Sequence, residues 1–102
     1  MDIRYAKSVN NLTIYFYGEL DECTSSNAKI LLEKLFEENT NISKIIFDLT
    51  GLTFMDSTGI GFLIGRYKKL ARSNIPVFLK GANCQIEKIL DLSGLYTIMP
   101  KM

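Results

Sequence analysis

The sequence predicts an α/β domain: a mixed, largely parallel β-sheet with an N-terminal hairpin and helices packed on it, in the order ββαβαβαβ. Three observations predict this. Two short runs rich in aromatic and β-branched residues follow one another at the start, separated only by Val9-Asn10-Asn11. From Thr24 onward, stretches with apolar residues at helical spacing alternate with short continuous apolar runs of the kind buried parallel strands show. The chain has 102 residues, 47% of them hydrophobic, which is one domain's length with enough apolar material for a core.

The elements follow in order. Ile3-Arg4-Tyr5-Ala6 and Leu12-Thr13-Ile14-Tyr15-Phe16-Tyr17 read as an antiparallel pair, because asparagine in the connection tolerates the positive φ of a tight hairpin. Gly18 is expected to end the second strand. Thr24-Ser25-Ser26 offers an N-cap to a helix reaching about Asn39, whose residues Ala28, Leu31, Leu32, Leu35 and Phe36 share one face. Lys44-Ile45-Ile46-Phe47-Asp48-Leu49 has the character of a buried central strand, followed by a loop to Asp56. A second helix is expected over Ser57 to about Ser73, with Ile60, Leu63, Ile64, Tyr67 and Ala71 inward and Arg66, Lys68, Lys69 and Arg72 mostly off that face. Pro76-Val77-Phe78-Leu79 reads as a further buried strand, proline being tolerable at its first position. Cys84 to Leu92 reads as a third helix, and Tyr96-Thr97-Ile98-Met99 as a short last strand.

Composition excludes several function classes. Twelve basic against 11 acidic side chains give a formal charge of +1, not the basic excess of a nucleic-acid module. Residues 1–51 carry 5 basic and 8 acidic side chains and residues 52–102 carry 7 and 3, so an acidic and a basic region are expected on the surface. The absence of histidine removes Ser-His and Cys-His catalysis and the commonest transition-metal ligand, and no metal or cofactor is expected. Cys23 and Cys84 form no CxxC pair and are expected as buried or half-buried small side chains. No apolar run has the length of a membrane span, and the first residues lack the basic-then-apolar design of a secretory signal. A cytoplasmic domain without membrane contact is the expectation.

The informative segment runs from Asp48 to Gly61. A strand leads through a loop that delivers Asp56-Ser57 to the start of a helix, where unpaired backbone N–H groups and the helix dipole favour an anion. A phosphate attached to Ser57 itself would suit that position. Gly59 and Gly61 would let another protein's backbone approach closely. The same residues also fit a plain helix start, with Asp56 or Ser57 as the cap and the glycines serving helix–sheet packing. Two enzymatic motifs fall short. Gly59-x-Gly61-x-x-x-Gly65 misses dinucleotide-binding spacing by one residue, and its first glycine lies ten residues beyond the expected strand end. An aspartic-protease Asp-[Ser/Thr]-Gly would need glycine where Thr58 stands.

Phe54-Met55-Asp56-Ser57-Thr58-Gly59-Ile60-Gly61, followed by Gly65-Arg66-Tyr67-Lys68, closely resembles the anti-sigma factor antagonists of the STAS fold, and within them the sporulation type that controls the forespore sigma factor. Gly18-Glu19-Leu20-Asp21 with Thr24, and Asp91-Leu92-Ser93-Gly94-Leu95, match in the same order, so the resemblance covers about residues 12–98. It implies a binder and kinase substrate rather than an enzyme. The partner is an anti-sigma factor that is also a serine kinase; the unmodified antagonist binds it and frees the sigma factor. Phosphorylation of Ser57 ends binding, and a PP2C-type phosphatase restores it. By the same resemblance Asp56 holds the loop and Thr58 is a neighbouring hydroxyl. Glu19, Leu20 and Asp21 belong to a first loop bordering the phosphosite. Ile60, Gly61, Gly65 and Arg66, with Gly59, lie on or near the docking helix. A STAS scaffold module of a stress-signalling complex, or a STAS domain whose loop binds nucleotide, is the alternative. Family members usually continue into a closing helix, so residues 1–102 are expected as a single STAS domain without that cover.

Overall fold

A computed structural model describes residues 1–102. Its elements are β1 (Asp2–Ser8), β2 (Asn11–Leu20), α1 (Ser25–Glu38), β3 (Lys44–Met55), α2 (Ser57–Ala71), β4 (Val77–Lys80), α3 (Cys84–Leu92) and a 3-10 turn over Leu95–Thr97. The sheet order is β1-β2-β3-β4. β1 pairs antiparallel with β2, while β2–β3 and β3–β4 are parallel. The mixed sheet and its hairpin thus follow the sequence expectation.

The hairpin closes with Ser8 opposite Asn11, and the residue at positive φ is Val9 (φ 55°), not an asparagine. A two-residue connection requires that conformation at its first position, and valine happens to stand there. Gly18 does not end β2. It adopts φ 103° within the strand, and pairing with β3 continues to Leu20↔Met55.

β3 is the larger correction, since it runs six residues past Leu49 to Met55. Opposite β2 it gains one residue between Asp48 and Gly51 and another between Leu52 and Phe54. Each bulge resets which face a side chain takes. Ile45, Phe47 and Leu49 alternate into the core, but the next buried residues are Leu52 and Met55, three apart. The period-two signal therefore stops where the strand does not.

The core joins this sheet face to the helices. Phe16 of β2 meets Phe47 of β3 edge-on at 5.4 Å between ring centroids and Phe62 of α2 at 6.4 Å. Ala28 and Leu32 bring in α1, and Ile86 and Leu90 bring in α3. The Asn83 side chain caps α3 by accepting from the Ile86 amide at 2.9 Å and donates to the Leu52 carbonyl at 3.3 Å, fixing α3 to the bulged part of β3.

The last β element is a single bridge, Leu79↔Lys101, rather than a strand over Tyr96–Met99. Gly94 (φ 77°) turns the chain into the 3-10 turn, which buries Leu95 before extended pairing resumes. Glu87 ties this end down by accepting from Lys101 and from the Tyr96 hydroxyl at 2.8 Å. The Lys101 and Tyr96 bonds hold the Glu87 carboxyl below its usual range. Both cysteines are exposed, against expectation: Cys23 sits in the β2–α1 turn and Cys84 on the first turn of α3.

Candidate functional site

The bulges of β3 bring its end beside the end of β2, with Glu19 opposite Phe54 and Leu20 opposite Met55. Residues 19–21 and 54–57 therefore lie side by side, and α2 starts from this edge. Asp56 takes extended backbone angles, and its carboxylate accepts from the Thr58 amide at 2.9 Å and the Gly59 amide at 3.3 Å. The cap of α2 is Asp56. Ser57 is the first helical residue, exposed, and its hydroxyl makes no hydrogen bond within the chain. Thr58 is half-buried, so the two adjacent hydroxyls differ in access.

Gly59 is buried where α2 crosses the strand ends. A Cβ there would collide with the Met55 side chain and stand 3.0 Å from the Leu20 carbonyl. Leu20 itself is fully buried. Both residues therefore set the height of α2 above the sheet rather than offering surface to a partner. Gly61 and Gly65 are the opposite case: a Cβ at either would meet nothing within 4 Å, and Gly61 is exposed. Ile60 is half-buried and packs against the core.

The β2–α1 loop is internally bonded. The Asp21 carboxylate accepts from the amides of Cys23 (2.9 Å) and Thr24 (3.1 Å). The Thr24 hydroxyl donates to the Glu19 carbonyl at 2.9 Å and accepts from the Asp21 amide at 3.0 Å. Thr24 stands at the N-cap of α1, as its sequence suggests, but its side chain holds the loop and caps nothing. Glu19 is left exposed at the rim.

Arg66 departs furthest from expectation. Expected mostly off the packed face, it is only 8% exposed and lies with Phe62 beneath it, 5.3 Å from guanidinium carbon to ring centroid. The buried stripe of α2 is Gly59, Phe62, Leu63, Arg66 and Leu70, turned about one residue from the Ile60-Leu63-Ile64-Tyr67-Ala71 face. A glycine and an arginine at stripe positions hide the pattern in the sequence. The spacing from Gly59 to Leu63, Arg66 and Leu70 is the signal that could have found it. No three His, Cys, Asp or Glu side chains are grouped as metal ligands, and no helix is long and apolar enough to cross a membrane.

The STAS domain family matches residues 2–102. The anti-sigma F factor antagonist of Paenibacillus polymyxa is 33% identical over 89 residues, covering 87% of this chain and 75% of that protein. The anti-sigma-B factor antagonist of Listeria monocytogenes is 28% identical over 93 residues, covering 91% and 80%. A putative anti-sigma factor antagonist from Thermotoga maritima superposes with a TM-score of 0.87 over 97% of this chain and 84% of its own, at 20% identity, which speaks for the fold. The Bacillus protein SpoIIAA in its phosphorylated form superposes with a TM-score of 0.69 over 99% and 91%, at 24% identity. The chain belongs to the STAS-domain family, among the anti-sigma factor antagonists.

Proposed function

We propose that this chain is a phosphorylation-switched anti-sigma factor antagonist of the sporulation type, with Ser57 as the phosphoacceptor. The observation that carries this reading is the division of labour at the start of α2. Asp56 closes the helix and leaves the exposed Ser57 hydroxyl without a partner. A capping hydroxyl has one oxygen lone pair engaged by a backbone amide; this one has both free.

In the unmodified state the surface around Ser57, Glu19, Gly61 and Gly65 docks onto an anti-sigma factor that is also a serine kinase, and the sigma factor is released. The kinase then transfers the γ-phosphoryl group of ATP. The Ser57 oxygen bonds to phosphorus, the bond to the ADP oxygen breaks, and the hydroxyl proton passes to a base on the kinase. The product carries about −1.5 to −2 charges. The helix start offsets part of this, about 0.3–1 kcal/mol. Burying a dianion beside the Asp56 carboxylate in a desolvated contact costs several kcal/mol unless a cation meets it, and the complex dissociates. A PP2C-type phosphatase resets the serine by hydrolysis. The chain performs no chemistry of its own and works in the cytoplasm.

Intact mass and peptide mapping after incubation with ATP and the anti-sigma kinase test this. One phosphate on Ser57, lost in Ser57→Ala, is expected. Phosphate on Thr58 would keep the switch but move it from Ser57 to the neighbouring hydroxyl. Tight binding with no phosphate would replace the switch by a scaffold.

A further inference from the structure

Beside the proposed phosphosite, a groove of about 410 Å³ runs between the first turn of α1 and Gly61 and Gly65 of α2, where a side chain would meet nothing. It is lined by Ser25, Ser26 and Lys29 from α1 and by Thr58, Gly61, Phe62, Gly65 and Arg66 from α2. Two cations and three hydroxyls face it, and no carboxylate does.

Two independent features mark it as incomplete. The first is Arg66. The residue is more than nine-tenths buried, its Nε is enclosed without a hydrogen-bond partner, and no carboxylate of the chain pairs with it. The one ion pair between the two helices joins Glu33 to Lys69 at 3.7 Å, further along. An enclosed, unbonded Nε–Hε on a cation whose other contact is the Phe62 ring costs stability, and an anion is the general remedy. The second is the start of α1. Thr24 makes no side-chain cap bond, the first turn contains no acidic residue, and the amides of Ser26 and Asn27 find no backbone acceptor. Such a helix start attracts negative charge.

We propose that this groove is the receptor for a carboxylate, and that the occupant is an Asp or Glu side chain of the docked anti-sigma partner. The inference rests on the functional reading above and extends it to a second contact. Three observations favour a protein carboxylate. The groove adjoins the Ser57 surface through Thr58 and Gly61. Its glycines leave open space in which a partner's backbone can lie against α2 while a short acidic side chain reaches Arg66. Phe62, itself buried, is the only apolar residue lining it, so a nucleobase finds no exposed aromatic ring to stack on. The antagonist then presents a two-signed surface, acidic at Glu19 and Asp56 and basic at Lys29 and Arg66, which fixes the orientation of docking.

The first test uses the whole isolated chain. Sodium acetate and inorganic phosphate are titrated against sodium chloride at equal ionic strength while the Arg66 Nε–Hε resonance and the Ser26 and Asn27 amides are followed by NMR. All three are expected to shift together and saturate with acetate, and the amide response is expected to vanish in Arg66→Gln. Shifts that track ionic strength alone, shifts of the amides without Arg66, or saturation by phosphate but not acetate would each overturn the carboxylate site.

The second test measures phosphorylation of Ser57 by the anti-sigma kinase. Lys29→Ser with Arg66→Gln is expected to raise KM at least tenfold with kcat little changed. An unchanged KM would remove the groove from docking while leaving the Ser57 switch standing. A kinase that neither binds nor modifies the wild-type chain would instead overturn the switch and the partner assignment together. Arg66→Met separates contact from folding. It keeps the stem against Phe62, is expected to melt no lower than wild type, and should still show the raised KM. A large drop in its melting temperature would make Arg66 structural and overturn the proposal.

Discussion

The two helix starts that border the candidate site are handled in opposite ways. At α2 the Asp56 carboxylate takes up two amides, so the end is closed, locally negative, and has a free hydroxyl on its first residue. At α1 the N-cap residue Thr24 is turned into the preceding loop, so the end is open, and beside it stand Lys29 and the unpaired Arg66. The same local geometry yields a place where added charge is felt as repulsion and a place where charge is wanted. A switch needs the first and a grip needs the second. The two adjoin through Thr58 and Gly61, so a partner that docks on one meets the other.

The largest effect expected from breaking this arrangement is at the closed end. Phosphorylation of Ser57 should weaken binding of the anti-sigma partner by more than about 100-fold, the equivalent of several kcal/mol. Ser57→Asp, with a single charge on a shorter reach, should lose about tenfold, and Ser57→Ala should bind as the unmodified chain does. Calorimetry on the three forms checks the order. Equal affinity for Ser57→Ala and Ser57→Asp would remove charge from the mechanism.

The glycines of α2 sharpen the contrast between packing and surface. Gly59→Ala should lower stability by about 1–3 kcal/mol, because the added methyl meets Met55 and the fixed Leu20 carbonyl. Gly61→Ala should raise it by about 0.5–1 kcal/mol, since the methyl enters open space and helix propensity improves. Urea unfolding of both variants decides this. If Gly61→Ala also weakens partner binding, the docked backbone lies against that turn.

Asp56→Ala comes next. It should cost about 1 kcal/mol by freeing the Thr58 and Gly59 amides, while Asp56→Asn, which keeps the accepting oxygen, should cost only a few tenths. A loss as large in Asp56→Asn would show that the carboxylate's charge, not its hydrogen bonds, holds the end.

How much of this the sequence discloses depends on whether local chemistry or tertiary geometry sets each feature. The start of α2 is local, and the types and order of Asp56 and Ser57 are enough to place it, although only the geometry shows that Asp56 and not Ser57 is the cap. The meeting of Glu19 with Phe54 depends on pairing between strands distant in sequence, and only the family resemblance pointed to it. The continuation of β3 past Leu49 is hidden because the two bulges break the alternation by which strands are recognised. Arg66 is hidden for a different reason. A charged residue ordinarily belongs to the solvated face of a helix, and the wide gap beside Gly61 and Gly65 is what lets it lie down over Phe62. The segment after Gly94 has strand-like residues but packs through Leu95 and Met99, which are buried from a turn rather than from a strand.

The smallest expected effect bears most directly on the open end. Ser26→Asp places a carboxylate in the first turn of α1, three residues before Lys29 and on the wall of the groove. On helix-dipole grounds alone it should stabilise the fold by about 0.3–1 kcal/mol, with a few tenths more from the spacing to Lys29. If the groove is built for a carboxylate, the variant supplies one from within. It should then lose the acetate response of the Arg66 resonance and bind the anti-sigma partner more weakly, despite being more stable and leaving Ser57 untouched. A variant that gains stability yet binds acetate and partner as before would show that the open helix start and the buried arginine are separate features. Gain in folding with loss in docking is the signature of one site serving both.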